Sequence, residues 1–340
     1  MSLIAFLGAI ELGLIFGFVA LGVYLSFRVL DFPDLTVDGS FPLGAAVAAV
    51  WIVGGGNPWV GTALAVVAGG MAGIVTAWMA VKLKILNLLA SILSMIALYS
   101  INLRVMGRPN IALLGDDTLF TPLESLPVSR YIAFPLAILA GLAVVTFLLN
   151  RFLNSEMGLA MRATGENARM ASGNGINTSV MVLAGMALSN ALVALGGALF
   201  AQSQGSADVT MGVGTIVVGL AAVIGGQSLI PGRTILVATL ACLFGSILYR
   251  LMVAVALNAD FIGLKAQDLN LVTALLVGFA LVLPRLRRRR RAAHRGWRRF
   301  AASRPARAGG SAPPRPLRAK RGAFCPRGRS AARSPAPSIP

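Results

Sequence analysis

The side chains able to do chemistry are few in this chain and unevenly placed. Asp34, Thr36 and Asp38 fall in DFPDLTVDGS, and Asp208 with Thr210 stands in the same order 174 positions later. A carboxylate two residues before a hydroxyl has two uses in an apolar chain. It can line a polar pathway across a membrane, where an aspartate at mid-depth costs about 2.5–3.5 kcal/mol and needs a partner or water. It can also accept hydrogen bonds from the free N–H groups of a helix start. Capping is the stronger expectation for Thr36 and Asp38, and both uses meet at the tip of an interrupted helix. Asn87, Ser91, Ser94 and Asn102 follow at spacings of four, three and eight, which puts them near one helix face. That stripe lines a pathway or bonds to a neighbouring helix; the second is favoured slightly. Ser189 and Asn190 pose the same choice, and Glu11 is expected near the outer membrane surface.

Other chemistry is poorly provided for. The single histidine, His294, lies in the C-terminal tail, and Cys242 and Cys325 have no metal-site spacing. Residues 1–284 contain no histidine and show no convincing acid pair. An intramembrane enzyme is therefore disfavoured, and neither cofactor nor metal is expected.

These residues must be held by membrane helices. The chain is 56% hydrophobic and 12% charged, about half the charge of a soluble domain. Apolar runs cover roughly 3–27, 41–56, 60–81, 85–103, 131–149, 178–201, 213–229, 234–256 and 268–284. Most can cross an apolar layer of about 30 Å. The N-terminal MSLIAFLGAIELGLIF has no positive n-region and reads as the first span rather than a cleaved signal. The expectation is an all-α polytopic membrane bundle of about 8–10 transmembrane segments, in the lipid bilayer.

Residues 178–222 repeat residues 4–48 without a gap: ALGVYLSFRVLDFPDLTVDGS from Ala20 aligns with ALGGALFAQSQGSADVTMGVG from Ala194. The two short runs, 41–56 and 213–229, occupy equivalent places, as in transporters built from repeats with broken helices. Lys82, Lys84, Arg151, Arg162, Arg169, Arg233 and Arg285 to Arg291 mark cytoplasmic loops and a cytoplasmic C-terminus. Five crossings separate the copies, so the internal repeat, about 4–150 against 178–284, is expected to be inverted. Residues 1–284 hold 12 basic and 12 acidic residues, whereas 285–340 hold 18 basic residues and no acid. This Arg/Pro/Ala-rich stretch cannot bury a core and reads as a disordered cytoplasmic tail. Its composition is also what out-of-frame or read-through translation of GC-rich DNA yields. A nucleic-acid partner is not expected.

The stretch 151–177 is polar and helix-forming, with Arg162, Glu166 and Arg169 on adjacent turns, which suits docking to a partner. Here the pattern M-G-x-A-x-R-A-x-x-E-N-x-x-x-A-x-x-x-G-I-N, Met157 to Asn177, resembles the coupling segment of ABC importer permeases of the branched-chain amino acid type. AAVIGGQSLIPG, Ala221 to Gly232, resembles the same family, and DLTVDGS, Asp34 to Ser40, is similar to a motif of related sugar permeases. Within the family, FPDLTVDGSFPLGAA looks closest to the subgroup associated with tryptophan or tyrosine binding proteins. The resemblance covers about 4–284. It implies a membrane-spanning permease of the bacterial plasma membrane, paired with a second permease chain as homo- or heterodimer. Cytoplasmic P-loop ATPase subunits and an extracytoplasmic solute-binding protein would complete the importer. The coupling residues would be Gly158, Arg162, Glu166, Asn167, Arg169 and Ala171. Asp34, Thr36, Asp38, Asn87, Ser91, Asp208 and Thr210 would be pathway candidates. The chain has no G-x-x-x-x-G-K-[ST] of its own, in keeping with a separate ATPase. The competing reading is a self-sufficient secondary transporter, which shares inverted repeats and broken helices.

Overall fold

Helix α1 (Leu3–Val23) is apolar on every side, which is the pattern of a helix enclosed by others. In the computed structural model its residues from Gly13 to Val23 are all buried. The structure describes residues 3–124, 129–232, 234–257 and 278. The ninth apolar run, 268–284, and the tail, 285–340, lie outside the described residues apart from Gly278.

After α1 the chain forms a π-helical turn, Tyr24–Val29, where Leu30 N donates to Leu25 O. Asp31 then adopts a left-handed φ of 52°, a conformation that aspartate tolerates better than branched residues. The chain doubles back through residues 31–36 into α2 (Val37–Val53). Next come α3 (Pro58–Lys82), α4 (Asn87–Met106), β1 (Asn110–Ala112), α5 (Thr121–Glu124) and α6 (Arg130–Leu153). Two short helices, α7 (Glu156–Glu166) and α8 (Ala168–Gly173), precede the long α9 (Thr178–Gln204). β2 (Ser206–Asp208), a 3₁₀ turn (Val209–Gly212), α10 (Thr215–Leu229) and α11 (Ile235–Leu257) complete the described chain. Seven helical segments are long and apolar enough to cross a membrane among the described residues, one of them the 3₁₀ turn and α10 taken together (Val209–Leu229), and α2 is a shorter apolar helix. The fold is a polytopic helical membrane bundle.

Helix α9 joins two ends of the bundle. It starts beside α8 and finishes at β2, which pairs antiparallel with β1 through Asn110↔Asp208, Ile111↔Ala207 and Ala112↔Ser206. This ribbon is absent from the sequence reading. It ties the loop after α4 to the loop after α9. The second half of α2 packs against it, with Ala45, Ala46, Ala49 and Ile52 touching Ile111, Ala201 and Ala207.

Small residues set the helix spacing. On α3, Gly61, Ala65, Gly69, Gly73 and Ala77 form a buried stripe. A Cβ at Gly73 would strike Met186 O, and one at Gly69 would strike Ala194 on α9. Gly44 of α2 abuts Ala194 O in the same way, and Gly197 of α9 abuts Phe41 O. With lipid offering no hydrophobic drive between helices, close backbone approach of this kind supplies the packing energy. The opposite faces carry large exposed apolar side chains, among them Trp59, Val67 and Met71 on α3, and Leu136 and Phe147 on α6.

Helices α1 and α9 run antiparallel, and their contact reads the same from either side. A Cβ at Gly22 would lie 2.7 Å from Ser189 O and 2.8 Å from Val193 Cγ2. A Cβ at Gly196 would lie 3.4 Å from both Ile15 O and Val19 Cγ2. Positions 189, 193 and 196 are 15, 19 and 22 displaced by 174. Asp38 likewise abuts its own counterpart, Gly212.

Candidate functional site

The return segment 31–36 leads a carboxylate into the bundle. Asp34 and Thr36 are both fully buried. Asp34 Oδ1 accepts from Thr36 N at 2.9 Å, closing a local turn, and Oδ2 accepts from Asn190 Nδ2 at 2.8 Å. Asn190 lies near the middle of α9, and its Oδ1 accepts from Ser40 Oγ of α2 at 2.7 Å. The Thr36 hydroxyl meets Thr76 Oγ1 of α3 at 3.0 Å, and Thr76 donates to Ser94 Oγ of α4 at 2.7 Å. One polar chain thus links the break before α2 to α3, α4 and α9. Leaving a buried polar group unpaired is costly, so each member of the chain constrains where the next helix sits. Further along α4, Asn102 Nδ2 donates to Gly39 O at 3.1 Å, while its buried Oδ1 has no partner among the described residues.

Thr36 occupies the position just before α2, yet its side chain caps nothing. The expected capping role is not seen there; the hydroxyl meets Thr76 instead. Asp38 does cap a helix, but a different one. Its Oδ1 accepts from Ile216 N at 2.7 Å and its Oδ2 from Gly214 N at 3.3 Å, both at the start of α10. The free N–H groups and positive dipole end of α10 are thereby satisfied by a carboxylate in the first turn of α2. The two interrupted helices meet at their N-termini and diverge. α2 reaches the ribbon, whereas α10 leads into α11, whose Thr239 hydroxyl accepts from Asn150 Nδ2 of α6 at 3.0 Å near the α7 end.

The second Asp-x-Thr repeats the first turn locally: Asp208 Oδ1 accepts from Thr210 N at 2.7 Å. There the likeness ends. Asp208 is only half-buried and Thr210 is exposed, with the Thr210 hydroxyl donating to the same oxygen at 2.6 Å and Asn110 donating to Oδ2. The hydroxyl's hydrogen bond holds the Asp208 carboxyl below the ordinary aspartate range. On α4, Ser91, Ser94 and Asn102 are buried and turned inward, whereas Asn87 is exposed at the helix start and joins nothing in the network. Ser91 donates back to Leu88 O.

Residues 156–173 form a separate feature at the other end. α7 has Ser155 at its N-cap, accepting from Gly158 N at 3.4 Å. Its inner face is Gly158, Met161 and Thr164, all buried, and Gly165 abuts Val29 O at the end of the π turn. Asn167 breaks α7 from α8 with an extended backbone and caps α8 by accepting from Met170 N at 3.0 Å. Of the six coupling candidates, Glu166, Asn167 and Arg169 are exposed, Arg162 is half-buried, and Gly158 and Ala171 face inward. Exposed Met157, Leu159 and Met170 complete the outer surface.

Three participants escaped the sequence reading. Ser40 was visible only as part of a motif. Thr76 carries no local signal. Arg250 interrupts the apolar run 234–256, and a cation in such a run is itself a signal.

Residues 5–283 match the family model described as branched-chain amino acid transport system / permease component. The chain is 39% identical over 264 residues to a protein of Clostridioides difficile (strain R20291) named tyrosine transport system permease protein, covering 78% of this chain and 86% of that one. It is 35% identical over 277 residues to an uncharacterised protein of Rickettsia prowazekii (strain Madrid E), covering 80% and 95%. A chain in the structure titled PsaBC from Streptococcus pneumoniae in complex with Fab aligns with 81% of this chain and 89% of its own length, at TM-score 0.47 and 15% identity. With a family match over almost all of the described helices, this chain belongs to the branched-chain amino acid transport system permease family and is a transport subunit of the ABC importer type, not an enzyme.

Proposed function

We propose that the chain forms the translocation pathway of an ATP-driven amino acid importer in a bacterial plasma membrane, with its coupling face on α7 and α8. The observation that carries this reading is the division of that pair into two faces. Gly158, Met161, Thr164 and Ala171 anchor it to the bundle, while Glu166, Asn167, Arg169 and Met170 are left outward for a partner. Gly165 against Val29 puts the π turn in direct contact with α7, so a push on α7 reaches it without an intermediary. The partner is a separate P-loop ATPase. In this reading the α7 end and the C-terminus are cytoplasmic, the β1–β2 ribbon faces outward toward a solute-binding protein, and a second permease chain completes the pathway. The reciprocal α1–α9 contacts and the Asp38–Gly212 contact support the inverted relation of the two repeats. The tyrosine named for the Clostridioides relative makes an aromatic amino acid the first solute to try.

The test is co-purification from native membranes followed by uptake. The ATPase is expected to elute with the wild-type chain and to be lost from the triple variant Glu166→Ala, Arg169→Ala, Met170→Ala. That variant should keep its size-exclusion profile, because none of the three side chains is buried. A chain that elutes alone and moves tyrosine in liposomes without ATP would replace this reading with a secondary transporter.

A further inference from the structure

Arg250 lies in α11, and its guanidinium carbon sits 3.8 Å from the ring centroid of Phe16 on α1. Its Nε is buried with no hydrogen-bond partner, and no carboxylate pairs with it among the described residues. A cation that, among the described residues, has a ring face and no carboxylate beside it in an apolar helix is expensive to keep. A guanidinium is a planar fork of donors that matches a carboxylate.

The surroundings supply the rest of a site. Phe16 of α1, Phe41 of α2 and Phe200 of α9 form a triangle, with centroids 5.6 Å apart for Phe16–Phe41, 6.2 Å for Phe16–Phe200 and 5.6 Å for Phe41–Phe200. Phe200 and Arg250 are half-buried, so the cluster is not sealed. Three residues beyond Phe200, on the same face of α9, Ser203 donates to Glu11 Oε1. Glu11 is half-buried and stands on α1 about 7.5 Å along the axis from Phe16. Along one seam the chain therefore offers a guanidinium, three aromatic rings and a carboxylate. Those are the complements of the three parts of a zwitterion with an apolar side chain. Packing on Phe16 does not itself call for a charge, since a leucine at position 250 would fill that space without desolvation.

We propose that Arg250, Phe16, Phe41, Phe200 and Glu11 form a binding station for an α-amino acid with an aromatic or large apolar side chain. Arg250 takes the solute carboxylate, the partly exposed Phe200, backed by the buried Phe16 and Phe41, takes its side chain, and Glu11 takes the ammonium. This rests on the permease reading above and adds the residues that select the solute.

The test uses direct labelling, without ATP or transport. The full-length chain in lipid nanodiscs is photolabelled with free benzoylphenylalanine and, separately, with its decarboxylated amine, and adducts are mapped by mass spectrometry. Adducts are expected around Phe16, Phe200 and Arg250. Labelling should fall about tenfold or more for the amine and for Arg250→Gln, the scale of a lost charge-assisted pair. Arg250→Lys should retain an intermediate level. Equal labelling by acid and amine on the wild-type chain, which needs no variant to fold, would overturn the proposal. So would adducts that map elsewhere, or undiminished labelling of a folded Arg250→Gln. Labelling as expected from a chain that shows no ATP-driven uptake would count against the permease reading and leave the station standing.

Discussion

Asp34 is the residue whose removal should be felt most widely, because its two oxygens serve different elements. Oδ1 closes the turn before α2 and Oδ2 holds Asn190 of α9. Asn190→Ala leaves Oδ2 buried without its donor, at an expected cost of about 1–3 kcal/mol. The check is the thermal unfolding of the purified permease. Asp34→Ala should be comparable, and the double variant should cost less than the sum, since the pair acts as a unit. Additive losses would show that the two side chains are stabilised independently. At the other Asp-x-Thr, Asp208→Ala should cost less than Asp34→Ala, because that carboxylate is half-exposed and water can replace its donors, although it ends β2 and caps the 3₁₀ turn. The sequence presents the two motifs as equals. Their difference comes from the helices around them, which no local pattern records. The same holds for Thr76: only the fold brings it to Thr36, 40 positions away.

Among elements, the interrupted helices were legible and their mutual capping was not. The short apolar runs 41–56 and 213–229 correspond to α2 and α10, because an apolar run bounded by polar turns marks a helix wherever it sits. That Asp38 serves α10 rather than α2 depends on a contact spanning 178 positions. Asp38→Ala should therefore unfasten the start of α10 at a cost of about 0.5–2 kcal/mol. Hydrogen exchange should rise at Gly214 and Ile216 rather than in the first turn of α2. The ribbon was missed for a related reason: NIA and SAD are too short to show alternation. Glycine positions permit a sharper comparison. Gly197→Leu should abolish the folded species on size exclusion, since Phe41 O occupies the space of its Cβ. Gly141→Ala, with nothing within 4 Å of its Cβ, should leave the protein unchanged.

At the scale of the whole molecule, the end that faces the cytoplasm can be read directly. Leu114, beside the ribbon, is 88% exposed, and Ser172 in α8 is exposed at the other end. In a Cys325→Ser background, Leu114→Cys should react with a membrane-impermeant maleimide on intact cells, and Ser172→Cys only after permeabilisation. The reverse pattern would turn the proposed orientation over. Cys242 is buried and should stay silent in both. Composition and charge placement carry the bundle and this expectation of its orientation, whereas Arg250 had to wait for Phe16 to appear beneath it.

The glycine seam that joins α2, α3 and α9 has a bearing on motion. Where backbone meets backbone there are no side-chain rotamers to exchange, so these helices cannot slide past one another without leaving a gap. Together they should behave as a stator. Any alternation between open faces would then fall to the elements packed through bulky side chains, such as α6, where Leu142 fills the space beside Gly17. Spin labels on exposed Val67 of α3 and Val180 of α9 should hold one distance with and without nucleotide, while a label on Phe147 of α6 should change its distance to either.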